Sequence, residues 1–237
     1  MRNILKITRL NFIALINVQI LICAGVLLLH LLISMAVIRL ANTEGPAGVG
    51  DGIVLVTVPI LGIIFFSPSF KYSISQGISR KTFFMAGSIT IFFMAAAFAV
   101  LTEIFYLINL KTANVWMIYK LIYAGQVSLI GLILWEFGAL LFLGMVGWCI
   151  RLIYYVSNRA TKYAFSITPF VLSALLIFFN ALADGGIGRA IWRFLKTTMG
   201  LSGSVPNPYI GIASMLGAAT ILGLICFLLL RRAQIID

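Results

Sequence analysis

The sequence predicts an all-α integral membrane protein with six transmembrane helices. Three observations carry that class. Of 237 residues, 62% are hydrophobic and only 10% charged, where a soluble domain has about 25% charged residues. Charge-free stretches long enough to cross a bilayer of roughly 30 Å recur along the chain. They are continuously apolar, without the alternation of barrel strands, so helix is the form that satisfies their backbone in lipid. Soluble enzyme classes are thereby mostly excluded. The 17 Lys+Arg against 6 Asp+Glu give a net charge of +11. Bases placed between spans point to lipid head groups as partners rather than nucleic acid.

The elements follow in chain order. Arg2, Lys6 and Arg9 are spaced i, i+4, i+7 and share one sector of a helix, with Ile4, Leu5, Ile7, Leu10 and Phe12 around the rest. Residues 1–12 therefore read as a basic-faced interfacial helix, either a membrane anchor or a contact for a partner protein. The apolar run after it is too long for the roughly 7–15-residue core of a signal peptide, so it reads as a retained span. Charge-free runs place the spans at about 13–38, 52–70, 83–108, 122–150, 164–183 and 209–230, the run from Lys81 to Glu103 holding most of the third. Glu136 interrupts the fourth. A mid-helix charge costs about 2.5–3.5 kcal/mol, and the Leu, Ile, Phe and Val of 126–146 return roughly 4–7 kcal/mol, so the span still inserts.

Six spans place both termini on one side. Termini inside would give the inner segments Arg2, Lys6 and Arg9, then Lys71, Arg80 and Lys81, then Arg151, Arg159 and Lys162, then Arg231 and Arg232. The outer segments keep Arg39, Lys111, Lys120, Arg189, Arg193 and Lys196. The positive-inside rule thus predicts a multi-pass protein of the cell membrane with cytoplasmic termini.

Between spans five and six, 187–199 is amphipathic. Ile187, Ile191, Phe194, Leu195 and Met199 share one face, and Arg189, Arg193 and Lys196 the opposite one. It reads as an outer interfacial helix or as a lid over an exit path. Between spans two and three, Gly77 divides 71–82 into two short pieces with helix-starting serines. Tyr72, Ile74 and Ile78 stand there among polar residues, as on a protein-docking surface or a basic loop with interfacial aromatics.

Intramembrane acids are functional candidates by default, which singles out Glu136 and Glu103 as translocation-path residues or structural hydrogen-bonding groups. Pro59 and Pro169 can kink spans two and five. Cys23, Cys149 and Cys226 lie inside spans, and His30 is the single histidine, so no metal site or catalytic triad is predicted. No Gly-x-x-x-x-Gly-Lys phosphate loop is present, so ATP would have to bind on another chain.

This layout resembles the permease subunit of a type-2 ABC exporter. Gln76-Gly77-Ile78-Ser79-Arg80-Lys81-Thr82-Phe83-Phe84 is similar to the Gly-x-Ser-Arg segment of small bacterial permeases of that class. The resemblance implies that 71–82 forms a coupling helix, with Tyr72, Ser73, Ile74, Gln76, Gly77, Ile78, Ser79, Arg80 and Lys81 facing a soluble ATPase. It implies that 1–12 is the connecting helix beside it. Two permeases, identical or different, would pair with two ATPases that carry ATP and Mg, the chain itself being no enzyme. Spans two and five would line the path, and the cargo would be an amphipathic peptide, an antimicrobial or another hydrophobic molecule. An ion-coupled secondary transporter is the rival reading; it would need broken helices at the midplane.

Overall fold

The computed structural model describes residues 51–75, 77–109, 117–123, 128–203 and 205–233. The expected interfacial helix with Arg2, Lys6 and Arg9, the first span with Cys23 and His30, and Gln76 lie outside the described residues. Every element within them is helical. The helices are α1 Gly52–Ser75, α2 Arg80–Asn109, α3 Ile118–Ile122, α4 Leu129–Val156, α5 Arg159–Leu182, α6 Gly186–Thr198 and α7 Pro208–Arg232.

Four of these are long and apolar enough to cross a membrane: α2 over Arg80–Ile104, then α4, α5, and α7 over Pro208–Arg231. The chain is therefore a membrane protein. In α1 the corresponding apolar stretch is the shorter Val54–Ile64. The observed bounds shift one expectation. The fourth expected span began at 122 and ended at 150, whereas α4 runs from Leu129 to Val156. Residues 118–122 form their own short helix, which ends at Tyr123. At the other end the helix continues past Arg151, because Leu152 is fully buried in the core and extends the apolar face. Glu136 consequently sits not at mid-helix but seven residues from the α4 start, a depth of about 10 Å.

The starts and stops have local causes. Asn158 caps α5 by accepting the Thr161 N–H at 2.8 Å, and Asn207 caps α7 by accepting the Tyr209 N–H at 3.0 Å, each satisfying a first-turn donor. Pro208 follows at the first helical position, where its missing N–H costs nothing.

α4 is the hub, packed against α1, α2 and α7. Lipid tails are as apolar as leucine, so helices associate in a membrane through close packing rather than water exclusion. The α1–α4 seam shows this. A methyl on Gly62 would lie 2.5 Å from the Gly144 carbonyl oxygen, and one on Gly147 would collide with the Pro59 carbonyl. Around the hub, Phe70, Phe83, Trp148, Leu152, Cys226 and Leu230 form a core at one end. Tyr106, Tyr119, Tyr123, Leu132, Trp135 and Ile212 form another at the opposite end.

The course of the chain follows from the crossings. With each of the four candidates crossing in turn, α2 would run one way, α4 back, α5 the first way again and α7 back. The turn before α2 and the end of α7 should then meet at one face of the bundle, and the segment before α4 and the α6–α7 joint at the other. Both contacts exist. The Arg80 guanidinium donates to the Arg231 carbonyl at 2.7 Å, and the Tyr123 hydroxyl donates to the Met199 carbonyl at 2.7 Å.

Candidate functional site

At the Arg80 end, residues 71–82 are not a separate helix. They comprise the last turns of α1, a glycine turn, and the first turn of α2. The Ile78 N–H donates to the Ser73 carbonyl at 3.0 Å and the Gly77 N–H to the Ile74 carbonyl at 2.9 Å. This is the glycine-closed helix end in which two orphan carbonyls are satisfied. Gly77 has φ 71, a conformation that favours glycine. Ser79 then starts α2: its hydroxyl accepts the Thr82 N–H at 3.2 Å.

The turn is bolted to the core. The Phe70 and Phe83 rings meet edge-on at 5.3 Å across it, and Phe70 meets Tyr155 of α4 at 5.5 Å. Of the residues expected on the docking surface, one is therefore interior and one partly so. Ser73 is buried, and Ile74 packs against the core through its half-buried side chain. Ser75, Gly77, Ser79, Arg80 and Lys81 are exposed, with Ile78 half-buried between them, while Tyr72 lies in the last turns of α1. Arg80 and Lys81 also edge a shallow cleft of about 290 Å³ with Phe227, Leu230 and Arg231 of α7.

At the opposite end the structure assembles a buried polar cluster that the sequence reading saw only in part. Glu103 lies six residues before the α2 end and Glu136 seven residues after the α4 start, so the two reach the same depth on oppositely running helices. Both are buried. Asp51, ahead of α1, joins them, and its charge and that of Glu103 reach Glu136. Lys120 of α3 supplies the opposite charge felt by Glu103, while its ammonium donates to the Tyr106 hydroxyl and lies 4.2 Å from that ring's centroid. Asp51 accepts the Ile118 N–H at 2.9 Å on Oδ2. Its burial raises the carboxyl above its ordinary range, and the Ile118 amide opposes that shift. The Tyr123 phenol is pushed up chiefly by burial, which keeps it a donor to Met199.

Both carboxylate oxygens of Glu103, Oε1 of Glu136, Oδ1 of Asp51 and Thr102 Oγ1 have no hydrogen-bond partner among the described residues. Such a group can hold a proton, a cationic group or ordered water. It offers no set of three side chains that could hold a metal ion among the described residues.

No family model, curated protein or solved structure matches the chain. The site is therefore defined by its own chemistry.

The remaining expected residues fall elsewhere. Pro59 lies in the α1–α4 seam against Gly147. Pro169 lies within α5, which has no buried side chain, so neither proline joins the carboxyls. The main helix neighbour of α5 is α6, and the Tyr154 and Ser166 hydroxyls bond at 2.5 Å to tie its start to α4. Arg189, Arg193 and Lys196 lie on α6, all exposed. Asp51, Tyr106, Lys120 and Tyr123 were missed. The aromatic run Tyr119–Tyr123 between two spans, with a lysine inside it, was the available signal.

Proposed function

We propose that the chain is the membrane-spanning permease subunit of a type-2 ABC exporter, driven by a separate soluble ATPase. The observation that carries the reading is the turn between α1 and α2, where Gly77, Ser79, Arg80 and Lys81 are exposed beside contacts that join it to the core through Phe70 and Phe83 and to the end of α7 through Arg80. A protein pushing on such a knob would displace whole helices rather than bend a loop, which is what coupling to a nucleotide-driven partner requires. The expected interfacial helix at 1–12 and first span at 13–38, with α1 as the second, complete a six-span layout. The bases at the corresponding helix ends, Lys71, Arg80, Lys81, Arg151, Arg159, Lys162 and Arg231, favour a cytoplasmic position for this turn and for both termini. Two such subunits with two ATPases, carrying ATP and Mg, would form the complex in the cell membrane. α6 would be the outer helix. The cargo would be an amphipathic peptide, an antimicrobial or another hydrophobic molecule.

The test is native purification with identification of bound chains. Wild type should co-purify with a soluble ATPase and show no ATPase activity alone. Ile78→Asp combined with Arg80→Glu and Lys81→Glu should abolish that association while the chain still inserts in the membrane. Association that survives these changes would remove the coupling assignment. The buried carboxyls supply a specific reason for a second reading, an ion-coupled secondary transporter. Transport sustained by a proton gradient with no ATPase present would select it.

A further inference from the structure

α6 is a 13-residue helix with no buried residue. Its surface is divided cleanly. At about 100° per residue, Arg189, Arg193 and Lys196 fall within one narrow sector, and the helix contains no acid. Ile191, Phe194 and Leu195 lie across from them and are 43%, 67% and 43% exposed, so this apolar face is open among the described residues. Trp192 stands at the boundary of the two faces, with the Lys196 ammonium 5.4 Å from its ring centroid.

The position of α6 is fixed at both ends. The Gly188 N–H donates to Asn180 Oδ1 of α5 at 2.7 Å. On the other side, the Leu201 N–H donates to the Lys196 carbonyl at 2.7 Å and the Asn207 N–H to the Gly200 carbonyl at 2.9 Å, just ahead of α7. Both α5 and α7 are long and apolar enough to cross the membrane. A helix held between their ends lies at the level where acyl chains meet head groups. There its apolar face meets acyl chains, its tryptophan the interface and its bases the phosphates.

We propose that α6 is a docking face for anionic phospholipid head groups, gripped by Arg189, Arg193 and Lys196 while Trp192, Phe194 and Ile191 rest on the acyl chains. Charge complementarity selects the occupant. Three clustered bases without an acid among them favour a net-negative lipid such as phosphatidylglycerol over zwitterionic phosphatidylcholine, by roughly fivefold for each base near the surface. The proposal goes beyond the transport reading and does not depend on it.

The test uses the full chain in nanodiscs. Emission of wild type minus that of Trp192→Phe isolates Trp192 from the other tryptophans. Trace lipid carrying brominated acyl chains, as phosphatidylglycerol or as phosphatidylcholine, is then added as the quencher. Wild type should be quenched at least several-fold more effectively by the brominated phosphatidylglycerol. Arg189→Gln, Arg193→Gln and Lys196→Gln together should make the two quenchers equal while leaving quenching in place, because the apolar face still sits in lipid. Equal quenching in wild type would overturn the headgroup selection. Absence of quenching by either lipid would overturn the interfacial position. Loss of the preference on adding soluble glycerol phosphate would assign the bases to a free anion and overturn the lipid assignment.

Discussion

Asp51 is fully buried, and burial raises its carboxyl above the ordinary 3.8 despite the Ile118 amide on Oδ2. A folded-state carboxyl that holds its proton more tightly than the unfolded one stabilises the protonated protein. Stability from this group is greatest below the unfolded value and falls as pH rises through the raised folded value. Asp51→Asn should therefore flatten the decline in the unfolding midpoint as pH rises above the ordinary carboxyl value of 3.8, measured in detergent. An unaltered decline would assign the pH dependence to another group. Nothing in the local sequence Gly48–Leu55 marks Asp51 as buried, because a lone acid ahead of an apolar run reads as the polar end of a span. Glu103 and Glu136 were legible as intramembrane acids, but their meeting was not. It depends on α2 and α4 running in opposite directions with each acid a similar distance from the same end.

Helix ends and helix seams use glycine for different reasons, and the difference is measurable. Gly77 has open space around its Cα and a positive φ, so Gly77→Ala meets only backbone strain, about 1–2 kcal/mol. Gly147 is helical but faces the Pro59 carbonyl, so Gly147→Ala forces α1 away from α4. Overpacking of that kind costs about 1–3 kcal/mol and loosens the hub as well. Thermal unfolding should show both losses, the larger in Gly147→Ala, whose methyl meets backbone rather than open space. Equal losses in the two variants would mean the seam can relax around the methyl. The turn signal at Gly77 and Ser79 was plain in the sequence, whereas the run 71–82 also invited a separate helix. The Phe70–Phe83 contact decides otherwise, pulling the two helix ends together, with Ser73 buried and Ile74 half-buried beside it.

Across the whole molecule, the three crossings by α2, α4 and α5 would place Ser79 and Ser202 on opposite sides of the membrane. In a background without its 3 native cysteines, Ser202→Cys should react with an impermeant maleimide in intact cells. Ser79→Cys should react only after the membrane is opened. Labelling of both from one side would break the proposed course. The sequence by itself determined that this is an all-helical membrane protein, roughly where α2, α5, α6 and α7 begin and end, and which sector of α6 is basic. Those features are written in composition, charge spacing and helical periodicity, which act within a single segment. The tertiary structure decided that α4 is the hub, that Pro59 lies in the α1–α4 seam, and that Asp51, Glu103, Glu136 and Lys120 share one buried cluster. These depend on which helices approach most closely, and in lipid that is set by the fit of small residues such as Gly62, Gly144 and Gly147 rather than by hydrophobicity, which is nearly uniform along the spans.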